Sequence, residues 1–350
     1  MQVNIIPYEL KFNQPAGTSR GVLHYKKTWF IVLKSASKAG IGECNCFQGL
    51  SYDDVPHFEQ KLQEVKDYAN RPETEWRAYF KDFPSILFGL ETALDSLCAS
   101  DPMIPYPSPF TKGEAAIPIN GLIWMGKAEA MRQQIAEKIE QGFRCIKLKI
   151  GAIDFEEELN ILKGIRKSFS PAEVELRVDA NGAFAPETAL EKLKRLSEYD
   201  IHSIEQPVKP IYQETLAALC TNSPIDIALD ESLIGVLNFS DKKALLECIK
   251  PQYLIFKPAL IGGFKAMQEW ITLCATMNIA WWITSALESN IGLNSIAQYT
   301  ARLKTSRPQG LGTGGLFTNN IKAPLVIQQA ALRYQPKLDW DSKIISFFDV

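Results

Sequence analysis

The chain has 350 residues, which is enough for a barrel domain of about 250 residues and a smaller second domain. Its 38 basic and 40 acidic residues give a net charge of -2, which excludes a polybasic face for nucleic acid or an anionic membrane and leaves a small molecule as the expected partner. The chain has seven cysteines without paired zinc spacing, no basic leader before an apolar segment and no run of about 18 apolar residues. These features predict a soluble cytoplasmic protein. The oligomeric state stays open.

The first hundred residues predict an α+β region. Alternating apolar residues predict antiparallel strands over 3–12, 21–29, 30–35 and 40–43. The polar segment Asn13–Arg20 between the first two strands is expected to be a hairpin loop that is able to cover a site elsewhere. From Tyr52 to Cys98, apolar residues spaced by three and four predict helices, most clearly over Pro84–Leu94.

After four prolines between Pro102 and Pro109, the pattern changes to short apolar runs that each end in a polar residue and precede a helix-like segment. The final polar residues from Lys149 to Ser285 follow one another at intervals of 25 to 30 positions, the length of one strand–helix unit. This alternation predicts parallel strands joined by crossover helices and closed into a barrel. An open doubly wound sheet is the alternative, but the segment 120–123 is not the glycine-rich turn that such a sheet needs.

Two later segments complete the predicted architecture. The glycine-rich segment Gln309–Phe317 lacks the Lys-Ser or Lys-Thr of a P-loop, so we interpret it as the end of the eighth strand or as a loop that brings the backbone close to a ligand. The tail from Tyr334 to Val350 alternates, which predicts strands that return to the first region.

The polar residues at the strand ends carry the functional prediction. In a parallel barrel the carboxyl ends of all strands meet at one mouth, so these residues should converge: Lys147, Lys149, Asp179, Glu205, Asp230, Lys257 and Ser285. Each carboxylate alone is explained as a helix N-cap, and an isolated Lys-x-Lys strand normally presents its lysines to solvent. Three oxygen ligands on adjacent strands, without His or Cys, instead indicate Mg²⁺ or Mn²⁺. Lysines on both sides of such a cation suit removal of a proton α to a carboxylate.

Taken together, these motifs resemble the enolase superfamily and, within it, the muconate-lactonizing-enzyme subgroup. The resemblance rests on Lys147-Leu148-Lys149, Asp179-Ala180-Asn181, Glu205-Gln206-Pro207, Asp230-Glu231-Ser232, Lys257-Pro258 with Gly262-Gly263, and the helix Pro84–Leu94. It implies an α/β fold, a modified TIM barrel (β/α)7β over residues 113–320. It also implies an α+β capping domain formed by residues 1–112 and the returning segment 321–350, with the segments Thr18–Gly21 and Phe47–Tyr52 closing over the substrate.

The same resemblance implies the metal site. Asp179, Glu205 and Asp230 are expected to bind Mg²⁺, with Mn²⁺ as a possible substitute. Asn181 is expected to support substrate and metal. Glu231 is expected to contact a metal ligand without binding the metal itself. No organic cofactor is expected.

The resemblance also implies a role for each lysine. Lys149 is expected to be the base, Lys257 the lysine that faces it, and Lys147 a group that orients a substrate carboxylate. The mandelate-racemase subgroup does not match, because its histidine base on the seventh strand has no counterpart. The histidines of the chain are His24, His57 and His202.

Two segments near the seventh and eighth strands indicate a substrate class. Residues 285–290 and 310–313 look like the o-succinylbenzoate synthase family, carbon–oxygen lyases that dehydrate 2-succinyl-6-hydroxy-2,4-cyclohexadiene-1-carboxylate in menaquinone biosynthesis. Residues 309–317 lack the Asp-x-Asp with which dipeptide epimerases hold a substrate ammonium group. The implied contacts with a small carboxylate substrate are Lys147, Ser285, Glu288, Leu311, Thr313, Ser19 and Arg20.

Two alternatives stay open at this point. One is a racemase of N-acylamino acids or an epimerase of dipeptides from the same superfamily. The other is a binding protein that kept the barrel without activity, which the complete set of ligands and lysines disfavours.

Overall fold

The computed structural model describes residues 1–18 and 21–349. It begins with an antiparallel sheet in the order β1-β2-β3, followed by a group of helices. These elements are β1 (Gln2–Thr18), β2 (Gly21–Lys34), β3 (Ala39–Cys44), α1 (Phe58–Gln63), α2 (Val65–Tyr68), α3 (Glu73–Tyr79) and α4 (Pro84–Cys98). The predicted α+β character of this region is confirmed, whereas the strands predicted separately over 21–29 and 30–35 form the single strand β2.

The second half of β2 is buried on both faces. Trp29, Ile31 and Leu33 pack in the cluster formed with the helices. Phe30 and Val32 point the opposite way, into a cluster with later parts of the chain. Because both faces are covered, this stretch is continuously apolar instead of alternating, and the sequence pattern gave no reliable strand boundary.

β3 lies directly against α4. A Cβ atom on Gly42 would collide with the carbonyl oxygen of Gly89 and would lie 2.6 Å from the amide nitrogen of Ala93. Only glycine permits so close an approach of strand and helix backbones. The contact fixes α4, which is buried over most of its length, on the sheet.

β1 and β2 form a long hairpin where the sequence predicted a loop over 13–20. β1 continues to Thr18 with one shift of register. The far side of this extension is held by the barrel segment near residue 316, because the amide of Asn13 donates to the carbonyl of Leu316 at 2.8 Å. The extended strand therefore has a partner on both edges, which local sequence could not indicate.

The middle of the chain forms a barrel of parallel strands. They are β5 (Gly121–Ile123), β6 (Cys145–Lys149), β7 (Glu175–Asp179), β8 (Ile201–Glu205), β9 (Asp226–Leu229), β10 (Tyr253–Phe256) and β11 (Ala280–Ile283). The short strand β4 (Ala116–Pro118) precedes β5 and pairs antiparallel with a later part of the chain. Strands β5 to β11 hydrogen-bond in chain order. The sheet closes through two residues, because Gln309 bridges to Ile119 and Gly310 bridges to Thr284, both in parallel. The predicted (β/α)7β barrel is confirmed, with an eighth strand reduced to these bridges.

Helices follow the strands on the outside of the barrel. They are α5 (Ala128–Glu140), α6 (Phe155–Ser168), α7 (Pro186–Ser197), α8 (Gln213–Asn222), α9 (Phe239–Ile249), α10 (Pro258–Ile261), α11 (Gly263–Met277) and α12 (Asn290–Arg302). Their apolar faces join the strands in one large core. Across residues 1–18 and 21–349, none of the helices has the length and apolar character that a membrane crossing requires.

The C-terminal segment differs from the prediction of strands. β12 (Leu325–Gln328) and β13 (Ala331–Tyr334) form a hairpin that pairs with β4, and Lys343–Asp349 is a helix, α13. Ile344, Phe347 and Phe348 gather on one face of α13, since a spacing of three and four residues is helical, and they pack beside Phe30 of β2. The domain boundaries at 112 and 320 stay a prediction.

Candidate active site

The Lys-x-Lys strand β6 is buried on both faces. Ile146 and Leu148 are enclosed by the core between strands and helices. Lys147 and Lys149 leave the other face, into the barrel, where their side chains are only 11% and 14% exposed. The alternative of a solvent-exposed lysine face is therefore wrong. Unpaired ammonium groups in this position would cost several kcal/mol, so the barrel must supply carboxylates.

Two of the carboxylates are in register with Lys149. Lys149 is the register partner of Asp179, and Asp179 is the partner of Glu205. Asp230 and Lys257 directly follow the last residues of β9 and β10. Because all these strands run in parallel, their carboxyl ends share one mouth, as the sequence predicts.

Lys147 lies between two of the carboxylates. Its Nζ is 2.8 Å from Oδ2 of Asp179 and also contacts Oε2 of Glu205. The ammonium of Lys149 reaches the same Asp179 oxygen at 3.0 Å and donates to Oδ1 of Asn181 at 2.6 Å. The two lysines of one strand thus share Asp179, and only Lys147 extends to Glu205.

Lys257 occupies the other side of the acidic group. Its Nζ contacts Oδ2 of Asp230 and lies 4.0 Å from Oε1 of Glu205. That Glu205 oxygen is buried and accepts no hydrogen bond from the described residues. Along the sheet, the three carboxylates lie between Lys149 on β6 and Lys257 after β10.

Burial and mutual charge control the ionisation of this cluster. Burial, followed by the negative charge of Asp179, raises the pKa of Glu205 to about 8. Burial would also raise the pKa of Asp179, but the surrounding ammonium groups outweigh it and hold that pKa well below its usual range. Burial would lower the pKa values of Lys147 and Lys257, but neighbouring carboxylates raise both. Burial raises the pKa of Asp230 despite Lys257.

The donor set fits a hard divalent cation. Asp179, Glu205 and Asp230 offer carboxylate oxygens, one of which, on Glu205, is buried without a hydrogen-bond partner. A further positive charge beside Glu205 would favour its ionised form. In the described part of the chain no three acidic, His or Cys side chains lie close enough to share one ion. The ammonium of Lys147 contacts both Asp179 and Glu205.

Neighbouring polar residues hold the carboxylates in position. The Asn181 amide N–H donates to Oδ1 of Asp179 at 3.0 Å, and its side chain donates to Glu231 at 2.9 Å. Gln206, to which the sequence assigned no role, accepts hydrogen bonds from the backbone of Asp230 and Ser232 at 3.2 and 3.1 Å. Its position directly after Glu205 in the motif was the available signal.

A cavity of about 680 Å³ opens above the charge cluster. Lys147, Lys149 and Lys257 form its polar floor, and Asn13 belongs to the segment that covers it from the first sheet. Phe47 and Leu50, from the segment predicted to close over the substrate, line the same space. Its size and mixed lining suit a small molecule with both charged and apolar parts.

The predicted substrate contacts separate into two groups. Ser285 and Thr313 line the cavity. Glu288 lies behind that wall, where it accepts a hydrogen bond from Ser285 Oγ at 2.5 Å and another from Asn45 at 3.0 Å. The Leu311 side chain is fully buried in the core between two cavity-lining glycines.

Two predicted contacts cannot be placed, and two unpredicted residues line the cavity. Ser19 and Arg20, two predicted contacts, lie outside the described residues. Trp124 and Trp282 line the cavity although the sequence did not single them out. Trp282 lies in the apolar strand β11 and Trp124 directly follows β5. An aromatic residue in an apolar stretch is typical of a core position, so no signal distinguished these two.

Comparison with protein families identifies the middle of the chain. Residues 130–333, more than half of its length, match the family described as enolase C-terminal domain-like. A protein of Desulfotalea psychrophila named o-succinylbenzoate synthase is 44% identical, over 95% of this chain and 98% of that protein. The crystal structure of MenC from the same organism superimposes with a TM-score of 0.82 at 40% identity, over 95% of this chain and 99% of the other.

A relative with a different name covers less of the chain. A hydrophobic dipeptide epimerase of Enterococcus faecalis is 30% identical over 58% of this chain and 56% of its own length. The likeness to the synthase is therefore both higher and almost complete, whereas the likeness to the epimerase is confined to part of each protein.

Proposed function

Because this chain belongs to the enolase C-terminal domain-like family, as its residues predict, we propose that it is a carbon–oxygen lyase with o-succinylbenzoate synthase activity. The proposed reaction is the syn-dehydration of 2-succinyl-6-hydroxy-2,4-cyclohexadiene-1-carboxylate to o-succinylbenzoate in menaquinone biosynthesis. The observation that carries the proposal is the 44% identity to the Desulfotalea synthase over nearly the whole of both chains. The lysines and carboxylates at the barrel mouth supply the groups that this reaction needs.

The proposal includes a divalent cation, Mg²⁺ or in its place Mn²⁺. Asp179, Glu205 and Asp230 would hold it, with Asn181 and Glu231 supporting them. When bound, the cation supplies positive charge to the substrate carboxylate beside the carbon that loses its proton. The buried, unpartnered oxygen of Glu205 supports this assignment.

Lys149 is the proposed base. In its neutral amine form it takes the proton from the ring carbon that carries the carboxylate, and the electron pair of that C–H bond moves toward the carboxylate. The resulting ammonium then gives this proton to the departing hydroxyl group, so that the C–O bond breaks, a ring double bond forms and water leaves. The same lysine serves both steps because both bonds lie on one face of the ring.

Lys257 faces this chemistry from the opposite side of the carboxylates. Its ammonium adds positive charge where negative charge develops on the substrate carboxylate. Lys147 lies deeper than Lys149 on the same strand, and we assign it the orientation of that carboxylate. Its contacts with Asp179 and Glu205 support this role, because they hold its side chain in one position.

The succinyl tail is assigned to the wall formed by the seventh and eighth strands. Ser285 and Thr313 would contact it directly, together with backbone amides of the glycine-rich segment. Glu288 would act through Ser285, whose hydroxyl it holds. Leu311 would contribute its backbone, while Ser19 and Arg20 remain proposed contacts from the covering hairpin. We also propose a cytoplasmic location and domain boundaries at 112 and 320.

The test is direct. The purified protein is supplied with the cyclohexadiene substrate and Mg²⁺, and formation of the aromatic product is followed by ultraviolet absorbance. Turnover that disappears in excess EDTA and returns with Mg²⁺ supports the proposal. The absence of turnover with freshly prepared substrate would sink it.

A second candidate is epimerisation of a dipeptide or racemisation of an N-acylamino acid. The 30% identity to the hydrophobic dipeptide epimerase favours it, while the lack of an acidic pair in residues 309–317 disfavours it. This activity would carry solvent deuterium into the α-carbon with loss of chirality. A binding protein without activity ranks below both, and isothermal titration that detects no Mg²⁺ binding would favour it.

A further inference from the structure

Glu288 belongs to a buried cluster of one cation and two acids behind the cavity wall. Lys26 of β2, Glu43 of β3 and Glu288 after β11 are each at most 6% exposed. Both acids meet at Gly292, where an added Cβ would lie 2.8 Å from Glu288 Cγ and 2.9 Å from Glu43 Oε2. The charge of each acid also acts on Lys26. The cluster therefore joins the first sheet to the loop that carries Ser285.

Glu43 has the surroundings of an ionised carboxylate. Its oxygens accept four hydrogen bonds of 2.5 to 2.9 Å, from the hydroxyl groups of Thr28 and Ser289 and from the backbone amides of Ser289 and Gly292. The two amides lie at the N-terminal end of α12, where the helix dipole also favours an anion. These donors hold the negative charge on Glu43, and the ammonium of Lys26 balances it.

Lys26 supplies at most one positive charge to the two acids. Its Nζ is buried and makes no hydrogen bond within residues 1–18 and 21–349. The thiols of Cys44 and Cys46 also face it, and burial raises the pKa of both, so they add no charge. Two ionised acids would leave an uncompensated buried charge, which is strongly unfavourable. Burial lowers the pKa of Lys26, and loss of its charge would only increase the need for one neutral acid.

Glu288 is the acid that is able to carry the proton. Its Oε1 accepts a hydrogen bond from Asn45 at 3.0 Å, and its Oε2 lies 2.5 Å from Ser285 Oγ. One hydrogen lies between these two oxygens, and a hydroxyl or a protonated carboxyl group is able to donate it. Burial raises the pKa of Glu288, which agrees with a neutral acid.

The donor of that hydrogen decides what Ser285 presents to the cavity that it lines. Ser285 Oγ already accepts hydrogen bonds from the amides of Leu287 and Glu288 at 3.0 and 3.3 Å. A Ser285 hydroxyl that donated to an ionised Glu288 would have no hydrogen left for a ligand. When Glu288 donates instead, the hydroxyl hydrogen of Ser285 is free to point into the cavity.

We propose that Glu288 is a neutral carboxylic acid that donates to Ser285 Oγ, so that the Ser285 hydroxyl donates to the terminal carboxylate of the succinyl tail. Glu288 is then a positioning residue that acts through Ser285. Lys26 and Glu43 balance each other and leave Glu288 without a charge. This inference rests on the proposed function and supplies a donor for an acidic tail that an ionised Glu288 would repel.

Infrared spectroscopy tests the protonation state of Glu288. The spectrum of Glu288→Gln is subtracted from that of the parent protein, both in heavy water at pH 7. We expect the difference to contain the C=O band of a protonated carboxylic acid, whereas the two bands of a carboxylate would overturn the inference. Glu173→Gln is the matched control, because Glu173 also contacts a serine three residues away, Ser170 at 2.8 Å, but is exposed. Its difference spectrum should contain the bands of a carboxylate.

Isothermal titration calorimetry in the presence of Mg²⁺ tests the contact with the tail. The ligands are o-succinylbenzoate and 2-butyrylbenzoate, in which a methyl group replaces the terminal carboxylate. Ser285→Ala should weaken binding of the first at least about 10-fold and of the second less than about 3-fold, because only the first loses a hydrogen bond to a charged group. Glu288→Leu should show the same difference, and Glu288→Gln, whose amide N–H replaces the acid O–H, should restore part of it. Ser170→Ala should change neither affinity.

Each outcome has a distinct meaning. If the parent protein turns over but Glu288→Gln removes carboxylate bands, the inference is overturned and the synthase function stands. The same holds if Ser285→Ala weakens binding of both ligands equally or of neither. If Glu288→Gln does not fold, the comparison of the two ligands with Ser285→Ala decides. No turnover by the parent protein sinks the proposed function and the tail contact with it.

Discussion

Lys147 offers the sharpest test of how the charge cluster holds together. Lys147→Met keeps the apolar stem of the side chain but removes the ammonium that contacts Asp179 and Glu205. Removal of one partner from a buried ion pair costs about 3 to 5 kcal/mol of unfolding free energy. Here Asp179 would keep only the ammonium of Lys149, and Glu205 would keep only the more distant Lys257. The side chain of Lys147 is only 11% exposed and those of its partners are at most 2% exposed, so solvent replaces little of the lost interaction.

The assay is urea unfolding at pH 7, followed by far-ultraviolet circular dichroism, in EDTA and in saturating Mg²⁺. In EDTA the variant should lose about 3 to 5 kcal/mol. The variant lacks the ammonium that competes with Mg²⁺ for the carboxylates, so it should bind Mg²⁺ more tightly than the parent. Mg²⁺ should therefore stabilise the variant more, because a ligand of the native state stabilises a protein more as its affinity rises. Lys243→Met is the control, since its pair with Glu247 at 3.6 Å is exposed and is expected to contribute about 0.5 kcal/mol at most.

Two results would refute this reasoning. Equal stability of Lys147→Met and the parent protein in EDTA would mean that the carboxylates do not depend on the ammonium. Equal stabilisation of both proteins by Mg²⁺ would mean that the cation binds elsewhere than beside Asp179 and Glu205.

Three further predictions address the base, a buried acid and a close backbone contact. Lys149→Met should reduce turnover by a factor of about 10² to 10⁴ while product binding changes little, and full activity would contradict its role as the base. Burial raises the pKa of Asp53 to about 6, so the native state binds a proton more tightly than the unfolded chain does. Stability should therefore fall by up to about 3 kcal/mol as pH rises from 4 to 6. Urea midpoints measured over this range should show the fall in the parent protein but not in Asp53→Asn. The same fall in both proteins would contradict the assignment. Gly42→Ala should lower stability by about 1 to 3 kcal/mol, because the added Cβ would collide with α4. Gly164→Ala is the control: its Cβ would lie in open space on α6, so it should raise stability by about 0.5 to 1 kcal/mol. Equal shifts in Tm for the two variants would refute the contact.

The sequence alone predicted the barrel and most of its mouth. Strand–helix units recur at a nearly constant interval, which locates the end of each strand. Side chains alternate between the two faces of a strand with a period of two. The residues that point into the barrel at its mouth can therefore be identified before the neighbouring strands are known. Lys149, Asp179 and Glu205 are adjacent in register for this reason. The family followed from the same residues, since their motifs are specific in combination.

Other features depended on contacts between distant segments. The tail helix α13 was predicted as strands, because a run of apolar residues is compatible with both structures until the surface that it covers is known. The strand extension to Thr18 depends on pairing with residues near 316, which are about 300 positions away. Residues 309 and 310 serve as a strand only because they close the barrel.

The depth of each residue in the site was likewise decided by tertiary structure. The motif around the seventh strand placed Ser285 and Glu288 together, but only the fold shows that Ser285 lines the cavity while Glu288 stands behind it. Sequence period determines which face of a strand a side chain leaves, whereas the closure of the sheet and the packing of neighbouring strands determine whether that side chain meets substrate, a charged partner or the core.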